Sequence, residues 1–258
     1  MSTILKKQRQ GAIMVWTLDQ PETRNALTGN NAAEEFVQAC AEVAKDPSVR
    51  VVVLTGAGPV FSSGGNVKDM QKYQGNTIPT EVIRDEYRHG IQRIPKALYP
   101  LDVPVIAAVN GPAIGAGLDL TCMCDIRIAS EKATFAESFV KVGIVPGDGG
   151  AWLLPNLIGI ENALKVVVEN PLKNNRMLKP AEAYELGMAD VMLPPANFLE
   201  DSIRWADGVL SGLAVADLAF AALDPGVRVA WSAADGSAST SHSTSSTASS
   251  SHAHNWLR

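Results

Sequence analysis

Val105-Ile106-Ala107-Ala108-Val109-Asn110-Gly111-Pro112-Ala113-Ile114-Gly115-Ala116-Gly117 is the stretch whose reading decides the fold. Its first five residues form a continuous apolar run, which suits a strand buried on both faces. Asn110-Gly111-Pro112 then turns the chain, and the spacing predicts a helix from Gly115 to Met123. The same succession occurs upstream. Val51-Val52-Val53-Leu54 is an apolar run ended by Thr55-Gly56, and the Gly/Ser-rich loop Phe61-Ser62-Ser63-Gly64-Gly65-Asn66 follows it.

Outward from these two units the pattern repeats. Ala12 to Leu18 alternates as a strand, and Pro21 to Leu27 is a loop. Apolar residues at helical spacing predict a helix over Asn31 to Lys45, stopped by Asp46-Pro47. Residues 80–99 predict an amphipathic helix with Ile83, Tyr87, Ile91, Ile94 and Leu98 on one face. Asp125 to Ala129 reads as a strand, and Gly143 to Gly150 is a glycine-rich loop opening a helix near Ala151-Trp152-Leu153-Leu154. Strand and helix in alternation signal an α/β domain.

Composition narrows the function. A chain of 258 residues with 46% hydrophobic side chains can bury one generous core, or a core plus an appendage. No stretch approaches the ~20 apolar residues of a membrane span, and Met1 to Lys7 lacks the apolar core of a secretory signal. The expected location is the cytoplasm, with no membrane partner. The net charge of −5 comes without a basic stripe, which argues against nucleic acid. Cys40, Cys122 and Cys124 suit buried, reduced thiols; two cysteines spaced two apart with no second pair do not make a zinc site, and no metal is expected.

Several motifs fail on inspection. Gly56-Ala57-Gly58 and Gly115-Ala116-Gly117 lack the third glycine of a dinucleotide fingerprint, having Phe61 and Leu120 there. Ser62 and Ser63 are not in a nucleophile elbow, and His89 lies on a charged helix face. What remains is a pair of glycine-rich loops, each able to offer a backbone N–H near a helix start. Two such donors converging on one point polarise a thioester carbonyl and stabilise the enolate formed from it. Tight turns explain the glycines equally well.

Five segments settle which reading holds. In order they are Arg24-Asn25-Ala26-Leu27; the loop from Phe61 to Met70; Pro104 to Gly117; Cys124-Asp125-Ile126-Arg127-Ile128-Ala129; and Gly143-Ile144-Val145-Pro146-Gly147-Asp148-Gly149-Gly150. In these, over roughly Ile13 to Leu210, the chain resembles the crotonase (enoyl-CoA hydratase/isomerase) superfamily. The resemblance implies a spiral of repeated ββα units. It implies an acyl-CoA thioester substrate, with coenzyme A part of the substrate and no separate cofactor, and a role in fatty acid metabolism. It places the oxyanion-hole donors at Gly65 and Ala116. Ala26, Leu27, Ser63, Gly64, Asn66, Val67 and Gly115 then belong to the substrate-binding loops, and Arg24 and Lys68 are candidates for the phosphates of coenzyme A.

Family hydratases resemble one another in two glutamates that activate water and supply the α-proton. The first falls on Asp119, a shorter carboxylate whose other reading is a helix-surface or capping residue. The second falls on Phe139, which exchanges no proton and is expected only to contact substrate. Asp148 is the favoured replacement, although an Asp before Gly149-Gly150-Ala151 also suits an N-cap. Glu137 is the other candidate: it shares a face with Phe139 only if that stretch is extended. The expected chemistry is hydration or isomerisation through an enolate. The alternatives are a C–C bond hydrolase or isomerase using Asp119 and Asp148, or a non-catalytic relative that binds acyl-CoA.

The C-terminus differs. Residues 1–212 read as the catalytic core and 213–258 as an atypical segment, where the family's helical region is altered. From about Ser237 the chain is mostly Ser, Thr, Ala and His, a composition expected to be disordered. So abrupt a change suggests a shifted reading frame or misplaced gene end. A homotrimer or hexamer is implied if the family's C-terminal helices are present.

Overall fold

Burial explains the central sheet. The computed structural model describes residues 3–70, 72–73, 78–174, 176–223, 227–231 and 238–242. Strand β1 is Leu5–Gln10, β2 Ile13–Leu18, β3 Val51–Gly56, β4 Val105–Val109, β5 Pro112–Ile114, β6 Ile126–Ser130, β7 Thr134–Ala136 and β8 Val191–Leu193. The main sheet has the order β1-β2-β3-β4-β6-β8, antiparallel between β1 and β2 and parallel thereafter. Every residue of β3 and β4 is buried, as their unbroken apolar runs require. Val52, Leu54 and Ala107 face one apolar cluster, while Val51, Val53, Ile106 and Ala108 face another. The sheet is thus packed on both sides.

The helices are α1 (Ala32–Lys45), α2 (Val67–Met70), α3 (Thr80–His89), α4 (Arg93–Leu98), α5 (Ala116–Cys122), α6 (Gly150–Ile158), α7 (Ile160–Leu164), α8 (Asn170–Asn174), α9 (Pro180–Glu185) and α10 (Phe198–Leu223), with a π-helical turn over Lys165–Glu169. Helix α1 covers the sheet through Phe36, Ala39, Cys40 and Val43, and Trp16 meets Phe36 edge to face. One expected element divides: residues 80–99 form α3 and α4, separated at Gly90, where the backbone leaves helical geometry. The other expected strands and helices occur within a residue or two of their predicted ends.

The chain separates into two compact units, Met1–Leu210 and Ser211–Arg258. In the second, β9 (Val227–Trp231) pairs antiparallel with β10 (Ala238–His242). So part of the stretch expected to be disordered is paired; its remaining residues lie outside those described. All three cysteines are buried and free. Among the described residues no helix is long and apolar enough to cross a membrane.

Two short features position the site. Strands β5 and β7 pair in parallel, Ile114 opposite Ala136, which sets the entry to α5 beside the chain leaving β7. The first glycine loop is held by Asn25, fully buried, whose Nδ2 donates to the carbonyls of Ala57, Val60 and Phe61 at 3.0, 2.9 and 3.2 Å. Its Oδ1 accepts from the Gln20 N–H at 3.0 Å. Ser62 Oγ donates to the Asn25 carbonyl at 2.8 Å and accepts the Gly64 N–H at 3.1 Å. Asn25 also adopts a left-handed conformation, φ 55°, which asparagine tolerates better than most residues.

Asn25→Ala leaves several buried groups without partners, each costing about 1–3 kcal/mol. Chemical denaturation is expected to show a loss of at least about 2 kcal/mol. Asn25→Asp should not restore it, because a carboxylate cannot donate to the three carbonyls.

Candidate active site

Two backbone turns meet where β5 runs into α5. Gly64 has φ 75°, and a Cβ there would overlap the Ile114 carbonyl oxygen and lie 2.8 Å from the Ala116 nitrogen. Only glycine accepts both that conformation and that approach. The contact brings Gly65 beside Ala116. Ala116 is the first residue of α5, so its N–H has no acceptor within the helix. Among the described residues, neither this N–H nor that of Gly65 donates to a protein acceptor.

Both residues line a cavity of about 690 Å³. Leu27, Lys68, Phe139 and Asp148 stand on its wall with them, together with Tyr87 and Ile91 from the α3–α4 region. Lys72, Tyr73 and Glu86 close another part of it. Lys72 Nζ reaches Glu86 at 2.8 Å, and the Tyr73 hydroxyl donates to the same carboxylate.

Behind this wall three carboxyl groups pack together. Asp119 and Glu137 are fully buried and Asp148 nearly so. Asp119 comes from the first turns of α5. Glu137 directly follows β7, held alongside by the Gly115 N–H donating to the Ala136 carbonyl at 2.8 Å. Asp148 comes from the loop before α6. At Gly150, the first residue of α6, a Cβ would overlap the Asp119 carboxylate. The absent side chain is therefore the space Asp119 occupies.

None of the six carboxylate oxygens meets a donor when all three groups are ionised, and no ion pair among the described residues involves them. Burial raises the proton affinity of each. The charge of Glu137 adds to it at Asp119, and the charge of Asp119 adds to it at Asp148. Burial pushes Glu137 up to about 8. Once protonated, each carboxyl becomes a hydrogen-bond donor, and Asp119 then pairs with Glu137 and with Asp148.

The expected site residues divide. Gly65, Ala116, Leu27, Lys68, Phe139 and Asp148 line the cavity; Arg24, Ala26, Ser63, Gly64, Asn66, Val67, Gly115, Asp119 and Glu137 do not. Ala26 bridges Gly64, the Ser63 N–H donates to the Arg24 carbonyl at 2.9 Å, and Asn66 Oδ1 accepts the Lys68 N–H at 3.2 Å; these residues shape the loops. Asp148 does not cap α6: the N-cap is Gly149, and no side chain bonds there. Asp119 is not on a helix surface. The chain turns at Ser138 (φ −107°, ψ 6°) into a 3₁₀ turn, so Glu137 and Phe139 part, the phenyl ring to the cavity and the carboxyl behind it. His89 is exposed, its ring nitrogen 2.9 Å from the Asp85 carbonyl oxygen. Tyr87 and Ile91 were legible as an apolar helix face, but nothing in their spacing showed that the face borders a cavity.

Comparison with known proteins shows the family. The model of the family described as enoyl-CoA hydratase/isomerase matches residues 8–251, beyond the motifs that end near Leu210. The chain is 33% identical over 210 residues to a probable mitochondrial enoyl-CoA hydratase of Dictyostelium discoideum, covering 81% of this chain and 70% of that protein. It is 32% identical to a short-chain-enoyl-CoA hydratase of Clostridium acetobutylicum, over 81% of this chain and 76% of the relative. An enoyl-CoA hydratase structure from Bacillus anthracis superposes with a TM-score of 0.71 at 28% identity, covering 81% of this chain and 77% of that one.

Two outcomes follow from the carboxyl cluster. Gly150→Ala forces Asp119 aside, and displacement of about 1 Å at such a group costs on the order of 100-fold in turnover, to be read in steady-state kinetics on whatever substrate the enzyme accepts. The folded state also holds protons that the unfolded chain releases near the ordinary value of 4.5. Stability from this source is therefore complete at low pH and is lost as pH rises through about 8. Thermal melts should show Tm falling by several degrees from about pH 5 to about pH 9, at about 2–4 °C per kcal/mol.

Proposed function

The chain belongs to the enoyl-CoA hydratase/isomerase family, and on that footing we propose that it moves protons at the α-carbon of an acyl-CoA thioester, shifting the double bond of an enoyl-CoA through an enolate. One observation carries this reading. Asp148 is the buried carboxylate on the wall that also presents the N–H groups of Gly65 and Ala116, and Phe139 stands where a second acid/base group would be needed.

A thioester carbonyl oxygen seated between the two N–H groups accepts hydrogen bonds that strengthen as negative charge develops on it. The ionised fraction of Asp148 takes the α-proton of a 3-enoyl thioester; the electron pair moves into the enolate. The new carboxylic acid then returns its proton to the γ-carbon, leaving the double bond conjugated with the carbonyl. One group serves both transfers, so no second carboxylate on the wall is required. Asp119 shares a proton with Asp148 from behind. Phe139 excludes water from that wall, which strengthens the electrostatic interactions beside it. Lys68 offers a cation to the phosphates of coenzyme A, with Arg24 at the outer end of the same loops and Leu27 against the adenine.

Hydration is the second reading, favoured by the names of the relatives. It needs water held between two carboxylates, and this wall presents one that is buried. The readings separate in D₂O. With a 3-enoyl-CoA, mass spectrometry and NMR should find the 2-enoyl isomer, with the deuterium taken from solvent at the γ-carbon. Asp148→Asn should lower the rate about 10²–10⁴-fold. A 3-hydroxyacyl-CoA as the main product would make the enzyme a hydratase. Tight binding of acyl-CoA with neither exchange nor product would make it a binding protein.

A further inference from the structure

The backbone that carries Asp148 is held from outside its own loop. Among the described residues, 145–148 make no main-chain hydrogen bond to one another or to the rest of the chain. Asp148 also stands between Gly147 and Gly149, and glycine restricts the backbone less than any other residue. After Asp148 the loop is fixed by α6: the Gly149 carbonyl accepts the N–H groups of Trp152 and Leu153 at 3.0 and 2.9 Å. Before Asp148 the hold comes from a side chain 55 residues upstream. The Nε2 of half-buried Gln92 donates to the Gly147 carbonyl at 2.6 Å. The nitrogen of that amide must be the atom facing Gly147, since a carbonyl oxygen only accepts.

This bond reaches Asp148 through one rigid unit. The Gly147 carbonyl and the Asp148 N–H belong to the same planar peptide group. Fixing the carbonyl therefore fixes the direction in which the chain enters Asp148. Gly147 is covered by Tyr87 as well: a Cβ there would stand 3.1 Å from the ring. Gln92 is itself well anchored. It immediately precedes α4, which packs on α1 and buries Ile94 and Leu98. Arg93, the next residue, pairs with Glu34 of α1 at 2.7 Å. Helix α3 buries no residue, and the Gln92 N–H donates to its Tyr87 carbonyl at 3.1 Å. The holding side chain thus belongs to the packed side of the break at Gly90.

We propose that Gln92 is a positioning residue for the proton transfer: its side-chain amide holds the Gly147–Asp148 peptide and so keeps the Asp148 carboxyl in place on the cavity wall. Gln92 does not line that cavity, although Gly90 and Ile91 beside it do, so it acts through the loop and not on the substrate. No proton moves at Gln92 during turnover. The inference rests on the acid/base role of Asp148 for its effect on rate, but not for its effect on the loop.

The test introduces Gln92→Met, which keeps the length of the side chain and removes the donor, into the full chain and into its Asp148→Asn variant. With a 3-enoyl-CoA, Gln92→Met should lower kcat about 10–100-fold, the scale of a displacement of about 1 Å, with KM within about twofold. In the Asp148→Asn background the same change should alter the residual rate by less than about twofold, because the group it positions is gone. Equal losses in both backgrounds, a rise in KM at unchanged kcat, or kcat within about twofold of the wild type each overturn the inference. NMR relaxation of the Asp148 amide reads the loop without turnover. Its order parameter should fall from about 0.85 in the wild type to below about 0.6 in Gln92→Met, and an unchanged value overturns the inference. If the loop loosens while Asp148→Asn leaves turnover intact, or no acyl-CoA is turned over at all, Gln92 holds the loop as inferred and the reaction proposed for Asp148 fails. Should Gln92→Met fail to fold, the wild type decides alone: the Gln92 side-chain amide protons should exchange slowly with solvent, and exchange as fast as in an unstructured peptide overturns the inference.

Discussion

The contact on which the site depends is between two pieces of backbone. Gly64 presses on the Ile114 carbonyl and the Ala116 nitrogen with no side chain between them. Everything that positions the first loop serves that contact. Asn25 gathers three carbonyls of residues 57–61, Ser62 ties the loop to Asn25, and Ser62 also bridges Ala113 of the second segment. The sheet supplies the anchor, because β3 and β4 run parallel and release both segments at the same edge. The loops therefore converge by topology and are locked by hydrogen bonds.

The carboxyl cluster is built on the opposite principle. Apart from the N–H groups of Gly65 and Ala116, the loops are held by polar groups satisfied within the protein, whereas Asp119, Glu137 and Asp148 are satisfied only by protons they share. Burial without a cation is expensive for a carboxylate, and like charges at this range oppose one another strongly. The protein bears this within a fold whose buried strands and packed sheet provide ample apolar stabilisation. Sites that carry such destabilising groups are where proton chemistry is found.

Much of the frame was legible in the residues themselves. The apolar runs of β3 and β4, the glycine loops after them and the stop at Asp46-Pro47 each carry a local physical signal. Strand β1 was not legible, since only Leu5 of its six residues is buried and the others are polar edge positions. Strands β5, β7 and β8 have three residues each, too few for a periodicity to show. The site was half legible. Gly65, Ala116 and Asp148 follow from motif position, and Phe139 declares itself by what it cannot do. The order of the three carboxyls, and the fact that Glu137 lies behind the wall while Phe139 lies on it, depend on a single turn at Ser138 and on pairing between residues more than twenty apart. No local pattern encodes either.

The unpaired N–H groups of Gly65 and Ala116 have one more consequence. They are main-chain atoms, so substitution of neighbouring side chains leaves their identity untouched provided the residues stay small. The carboxyls are side chains, replaceable one at a time. On the function proposed above, main-chain atoms hold the thioester oxygen and side chains decide where the proton goes. On that reading, changes at two or three side chains around α5 and the start of α6 redirect the proton while the main-chain grip on the substrate stays as it is.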